Sequence, residues 1–581
     1  LEMTERQNMA NKEASANNTL TETGNWRLNW QWTNTATYTK KIHEDHNITV
    51  VLGTEAIKQG VGRYMQGTRI DYIFESDPNT WTLDNGSSSN IGNSSRYQRK
   101  VTMFGLFGRA DYSYKGKYLA TFTIRRDASS KFGSKNRWGN FPSASLGWRM
   151  SDEKFMEPTR KWLDDFKLRA GYGTTGNSNI GSYNYAFQYG TGNYYMYPIT
   201  GSDSETSPGY VLSNLGDSDA KWETTKMFNI GFDLTALSNR LTAGFDFYVK
   251  NTSDLLVPAN WSALVGNASK PSINIGDMKN RGIDLSIGWR DKVGEFGYNI
   301  TANISRYKNE VTRLGSSDLF NDTRLSKVNI TTVGQPVGMF YGYQIDGIYQ
   351  NEQDVISSGV LPYGVATEND LVASAWVGRY KMKDVNNDGK IDADDRTIIG
   401  NPHPDLTGGF NISLTWRDFD LSTYMYYSIG NDLYKHYEYY TMFGNLQSNY
   451  SKDRLAKSWD PVNNPNGIYP LWTTTSTEGP EAGNESNSNY VQDGSYLRMQ
   501  TLTLGYSLPK KLLKKIGFEK IRVYGQISNV FTITGYDGLD PEVRSHTSFE
   551  NEYVSSDMNK GIDYGSYGMP RQFLMGVNVT F

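Results

Sequence analysis

Apolar residues in this chain recur at every second position, in runs that come in facing pairs. From Met103 onward, Phe104, Leu106, Gly108, Ala110 and Tyr112 share one face, while Phe107, Arg109, Asp111 and Ser113 share the other. A short Lys115-Gly116 turn follows, and Tyr118, Ala120, Phe122 and Ile124 then alternate with Leu119, Thr121, Thr123 and Arg125. Period two is the repeat of a β-strand, and so short a turn between two such runs predicts a hairpin. The same grammar returns at Phe228–Leu234 with Leu241–Val249, at Ile283–Trp289 with Ile300–Ile304, at Phe410–Trp416 with Leu421–Tyr427, and at Leu502–Leu508 with Ile521–Gly525.

The connections are unequal. Turns on one side, such as Ser238-Asn239 and Arg417-Asp418, are two or three residues long. Those on the other side are long and polar: Ile70–Gln98, Asp127–Asn140, Gly173–Thr224, Asn251–Gly282, Ile345–Asp405 and Ile429–Asp493. Short turns at one end, long loops at the other and strands long enough to cross a bilayer at a tilt predict an all-β fold, a transmembrane antiparallel β-barrel of about 16 strands. Tyr112, Tyr114, Trp148, Trp289, Trp416 and Tyr506 stand near strand ends, where barrels carry interfacial aromatic girdles. Arg109, Asp111 and Arg125 are expected to face the lumen. A soluble all-β protein, a sandwich array or a propeller, also alternates and is the competing reading. It fits poorly with Phe, Leu and Ile on the outward face of nearly every strand.

Composition trims the field. The 581 residues contain no cysteine, which excludes disulfide frameworks, thiolate metal sites and cysteine nucleophiles. With 59 basic and 62 acidic side chains the net charge is −3, giving no bulk drive toward nucleic acid. Residues 1–24 read as a polar tail or loop without a secretory signal, and residues 25–581 as the barrel portion with long extracellular loops. The last strand alternates through Phe573, Met575, Val577 and Val579 and reaches an aromatic, Phe581, as barrel-assembly signals do.

One motif has metal-ligand spacing. Asp384, Asn386 and Asp388 occupy positions 1, 3 and 5 of a D-x-[DN]-x-[DN]-G loop, Gly389 permits the bend, the Lys390 carbonyl stands at 7, Asp392 at 9 and Asp395 at 12. A hard cation, calcium, in a structural role is expected there. The competing reading is a solvated Asp/Asn turn without an ion. Enzyme motifs are lacking: there is no H-E-x-x-H, P-loop or G-x-S-x-G, so no catalytic residue is expected. Two aromatic clusters lie in or beside long loops, Tyr194, Tyr195 and Tyr197, and Tyr437, Tyr439 and Tyr440. They are candidates for stacking on a ligand, and equally for packing within the loops.

Several segments together resemble the SusC/RagA-like TonB-dependent outer-membrane transporters. They are Gly116–Leu119 running on to Arg125–Gly133, Asn136–Ser143, Gly171–Asn177, Asn274–Gly282, Gly338–Tyr343, the Asp384–Asp395 loop with Ile399–Pro402, Asn529–Tyr536 and Asp540–Glu542. The resemblance implies a 22-stranded barrel closed by an N-terminal plug. It implies a bacterial outer-membrane location, a SusD-like surface lipoprotein as lid, TonB pulling on the plug, and an oligosaccharide or peptide as ligand. About 16 strands and no plug segment then predict the barrel portion of such a transporter, with the plug and first strands on another chain. A self-closed pore of about 16 strands is the alternative to that arrangement. The second functional reading is a soluble secreted calcium-stabilised β protein, a lectin or glycoside hydrolase.

Overall fold

A computed structural model describes residues 2–4, 17–73, 76–87, 92–98, 100–198, 206–258, 266, 268–269, 271–315, 318–321, 325, 327–443, 449–472, 480–543 and 556–581. Its main body is a 17-stranded sheet. Two of the strands are short, Glu2–Thr4 and Gly92–Tyr97. The other 15 form the wall: β1 Thr19–Ile42, β2 His46–Ile70, β3 Val101–Tyr114, β4 Tyr118–Ser129, β5 Trp138–Arg149, β6 Leu163–Asn177, β7 Glu223–Ala236, β8 Leu241–Pro258, β9 Ser272–Val293, β10 Phe296–Arg313, β11 Leu406–Trp416, β12 Phe419–Ile429, β13 Tyr496–Ser507, β14 Lys520–Thr534 and β15 Gln572–Thr580. Each pairs antiparallel with the next in sequence.

The register turns sequence alternation into two chemically different faces. Phe228, Ile230, Ile283, Ile287, Ile300 and Ile304 stand on the outward face and are exposed. On the inward face, ion pairs run between and along strands. Arg169 reaches Asp233 at 2.9 Å and Asp246 at 2.9 Å, Arg522 donates to Asp420 at 2.8 Å, and Arg125 binds Asp127 at 2.7 Å and also Glu55. Arg109, Asp111 and Arg125 lie on this inward face. Lipid outside and water inside explain the pattern, because a charge on the lipid face would lose its solvation with no partner gained.

The short-turn end carries the expected girdle. Phe296 faces Trp416, Trp416 faces Phe419, and Phe419 faces Tyr506 across four adjacent strands, the last pair with ring centroids 4.8 Å apart. The β11–β12 turn is only Arg417 and Asp418, with Arg417 at φ +54°, the left-handed backbone that a two-residue hairpin turn requires.

Two boundaries differ from the sequence reading. Strand β1 begins at Thr19, inside the stretch read as a tail. The segment read as one loop from Asn251 to Gly282 is mostly ladder, because β8 runs on to Pro258 and β9 starts at Ser272. Beyond the bilayer the outward face needs no apolar residues, so these extensions carry Asn, Lys and Thr and lose the alternation that marked the rest. Among the described residues, β1 from Glu22 onward and β15 each have a strand neighbour on one side only.

Candidate functional site

Three long loops at the end opposite the short turns pack together into a cap. Residues 314–405, 430–495 and 535–571 connect β10 to β11, β12 to β13 and β14 to β15. They share one core containing Phe340, Ile348, Tyr380, Tyr434, Trp459, Tyr490 and Ile562. Small ladders brace it: Asn329–Thr331 and Thr397–Gly400 flank Met339–Gly342, Ile345–Ile348 pairs with Tyr380–Met382, and Asp432–Tyr434 pairs with Val491–Asp493.

Tyr434 stands where the three loops meet. Its amide donates to the Gly561 carbonyl at 2.9 Å and its carbonyl accepts from Asp563 at 2.8 Å. Its hydroxyl donates to Ser486 Oγ at 3.0 Å, which donates on to the Tyr341 carbonyl at 2.6 Å. Burial pushes the phenols of Tyr434 and Tyr490 well above their ordinary range, so both stay neutral hydrogen-bond donors.

Charge is buried here too. Lys435 Nζ sits 2.6 Å from Glu438 Oε1 with both side chains under 10% exposed. Burial raises the Glu438 carboxyl while Lys435 opposes the rise. Arg454 donates to the Met442 carbonyl at 2.8 Å and the Pro470 carbonyl at 2.8 Å, and lies over the rings of Phe443, Tyr469 and Trp472. Glu481, buried and accepting the Tyr363 amide at 2.6 Å, is pushed up to about 7 by desolvation. The cap thus has its own hydrophobic interior, with charged groups held inside it.

The acidic loop is folded back on itself. Asp384 accepts the Asp388 and Gly389 amides at 3.3 and 2.8 Å, and Asn386 Oδ1 accepts the Asp388 amide at 2.9 Å. Asp395 is fully buried and accepts the Val385 and Asp392 amides, each at 2.8 Å. Gly389 has φ +85°, and Ile391 is buried beside Tyr343 and Met382. The Lys390 ammonium lies 2.5 Å from Asp392 and 3.8 Å from Asp388, on the side where a cation would bind. Among the described residues no group of three or more acidic or His side chains converges as a metal cage. The six sequence-derived ligands are thus brought into one loop, with their oxygens mostly given to backbone amides.

The aromatic candidates separate. Tyr437, Tyr439 and Tyr440 are half-buried, and Tyr439 packs on the cap core and edge-on to Tyr440 at 5.2 Å. The side chains of Tyr194, Tyr195 and Tyr197 lie outside the described residues; their backbone belongs to a strand, Gln188–Pro198, paired with Thr206–Asn214. Sequence reasoning missed Tyr189 and Tyr210 on the same hairpin, 70% and 78% exposed, and Tyr567, 96% exposed. Tyr189 pairs across from Leu212, which puts it on the same face as Tyr210. They are isolated in sequence, so only the hairpin register reveals them as neighbours.

The β-barrel family described as "TonB dependent receptor-like, beta-barrel" matches residues 4–387, about two thirds of the chain. The chain belongs to the TonB-dependent receptor β-barrel family. Members are outer-membrane proteins of Gram-negative bacteria, and the outward apolar face places this wall in that membrane. The chain is 34% identical over 497 residues to TonB-dependent receptor P3 of Formosa agariphila, covering 84% of this chain and 46% of that protein. It is 32% identical over 506 residues to TonB-dependent receptor SusC of Bacteroides thetaiotaomicron, covering 84% and 44%. The solved RagAB peptide transporter superposes with a TM-score of 0.77 at 25% identity, over 98% of this chain and 57% of that one. The chain thus spans about half the length of the curated relatives it matches. The 17-stranded antiparallel sheet, 15 of its strands long among the described residues, agrees with the barrel of about 16 strands expected from sequence.

Proposed function

We propose that this chain forms the barrel wall and extracellular cap of a TonB-dependent transporter that imports oligosaccharides or peptides beneath a SusD-like surface lipoprotein. The observation that carries the reading is the family match along the barrel, joined to a fold shared with a peptide transporter over nearly the whole chain. Likeness to SusC supports a glycan ligand and likeness to RagAB supports a peptide. In this reading the strands missing between β1 and β15, together with a plug that TonB pulls, come from elsewhere in the protein or its partners. Two open strand edges facing lipid would otherwise leave a row of backbone amides and carbonyls unsatisfied. Tyr189, Tyr210 and Tyr567, with Tyr194, Tyr195 and Tyr197, are the aromatics offered to an extended ligand.

The acidic loop is proposed to hold calcium through Asp384, Asn386, Asp388, the Lys390 carbonyl, Asp392 and Asp395. The donors are hard oxygens at the right spacing, and the fit requires the Lys390 ammonium to swing away.

Growth on panels of oligosaccharides and of peptides, with the intact transporter present, deleted, or uncoupled from TonB, tests the transport reading. Loss of uptake for one class in both deficient strains is expected. Uptake indifferent to TonB would overturn the reading.

A further inference from the structure

The outward face of β9 and β10 turns from apolar to basic at one level of the wall. Register places Arg281 opposite Lys308 and Ile283 opposite Arg306, so all four share that face, with Phe247 of β8 opposite Ile283. Arg281, Arg306 and Lys308 are exposed. Among the described residues none of the three side chains has an ion-pair partner. This is unlike the inward face, where the arginines described above are matched by carboxylates. Lys279 lies one step farther out beside Glu310, its cross-strand partner, and Asp405 approaches from the β11 side.

The height of these cations is fixed by the strand. Phe296 belongs to the girdle at the short-turn end, and Arg306 is ten residues along β10 from it (306 − 296). Ten residues span roughly 34 Å of strand, or about 26 Å along the membrane normal at a tilt near 40°, which is the height of a barrel's apolar band. The three cations therefore stand at the outer-leaflet interface, Arg306 level with Ile283 and Phe247, and Arg281 and Lys308 one side-chain step above them.

A cleft opens at the same place. Strand β10 loses its β11 neighbour after Ser305, which pairs with Thr407. The chain from Asn401 to Asp405 lies beside the freed edge instead, leaving a cleft of about 460 Å³. Its wall includes Arg281 and Lys308, with Arg306, Ile283 and Phe247 at the next level down.

We propose that this cleft is a lipid site that takes the phosphate-bearing headgroup of an outer-leaflet glycolipid, with an acyl chain lying on Ile283 and Phe247. The guanidinium groups of Arg281 and Arg306 suit phosphate oxygens bidentately, and Lys308 adds a point charge. Arg281, Ile283, Arg306 and Lys308 line the cleft from the face that meets lipid. Unmatched cations beside and above an apolar shelf fit an amphiphilic anion and not a wholly soluble one. Such a lipid would fill the gap where the ladder is broken and pin the cap's base to the membrane surface.

Native mass spectrometry of the full-length protein in detergent, titrated with purified bis-phosphorylated lipid A, reads the site directly. Wild type is expected to hold one lipid that R281Q/R306Q/K308Q binds about a hundredfold more weakly, from roughly a fivefold loss per cation. The single variant R306Q, at an exposed position, should lose about fivefold and stands in if the triple variant does not fold by heat-modifiable gel mobility. Lipid A stripped of its phosphates should bind wild type no better than lipid A binds the triple variant. Equal binding by wild type and R306Q, or by intact and dephosphorylated lipid, would overturn the proposal. Displacement of the lipid by inorganic phosphate at matching concentration would also overturn it, in favour of a free-anion site.

Discussion

The rings of Tyr434 and Tyr490 lie stacked, centroids 5.3 Å apart and planes inclined by 13°, at the centre of the extracellular cap. Neither ring is accessible to solvent, and each hydroxyl is spent inside the cap, Tyr434 on Ser486 and Tyr490 on the Gly483 carbonyl at 2.7 Å. Through the Tyr434 backbone the same stack ties in Gly561 and Asp563 of the last loop. Three loops far apart in sequence therefore form one cooperative unit.

Removing the Tyr434 hydroxyl tests that unity. Y434F should cost about 1 kcal/mol of local stability, the net worth of one hydrogen bond, and Y434A about 3–5 kcal/mol through the cavity it leaves. Hydrogen exchange is the measurement. The amides of Tyr343, Lys435 and Asp563, which bond to Ser486, Tyr490 and Tyr434, should accelerate together in Y434A. Acceleration confined to 430–495 would show that the loops open separately.

The Lys435–Glu438 pair makes a second demand on the cap. K435M leaves Glu438 buried without its counter-charge, which should weaken the cap by about 3–5 kcal/mol. Replacing both, as K435M/E438L, removes the buried charge altogether and should recover most of the loss. Limited trypsin digestion of the folded barrel reads this at Arg454 and Lys457. Equal cleavage of the single and double variants would mean that the pair contributes packing and not charge compensation.

Acidity should tighten the cap around Glu481. Its carboxyl, raised to about 7 from an ordinary value near 4.5, binds a proton more strongly in the fold than in the open chain. The stabilisation is complete below the unfolded value and is lost as pH climbs through the folded one, a change of roughly 3 kcal/mol. Exchange at the Tyr363 amide, intrinsic rate corrected, should be slower at pH 5 than at pH 8. In E481Q, which keeps an acceptor but cannot ionise, that pH dependence should vanish.

The wall was legible because every outward residue in the bilayer meets the same solvent. Ile283, Leu285, Ile287 and Trp289 repeat with period two for that reason alone. The pattern stops where lipid stops, so Asn251 and Lys279, neighbours across β8 and β9, read as loop although they continue the ladder beside Lys226 of β7. The cap left no periodic trace. Phe340, Tyr434, Tyr490 and Ile562 meet through long-range packing that no local pattern announces. Adjacency in sequence did not separate the aromatics by environment: Tyr439 packs on the cap core with Tyr440 edge-on to it, while the solitary Tyr189 and Tyr210 are exposed.

The acidic loop sets the last test. Its consensus spacing was plain in sequence, but the seat of the Lys390 ammonium, 2.5 Å from Asp392 and 3.8 Å from Asp388, was not. A calcium ion bound by these carboxylates has to displace that ammonium, so the lysine side chain competes for the site while its carbonyl serves it. K390Q keeps the carbonyl and removes the competitor; calcium affinity measured by equilibrium dialysis should rise about fivefold, the equivalent of one modest charge interaction near 1 kcal/mol. D388A, which deletes a ligand, should abolish the binding and speed proteolysis between 345 and 405. Calcium content unchanged in D388A would return the loop to a plain Asp/Asn turn, stabilised by Gly389 and its own amides.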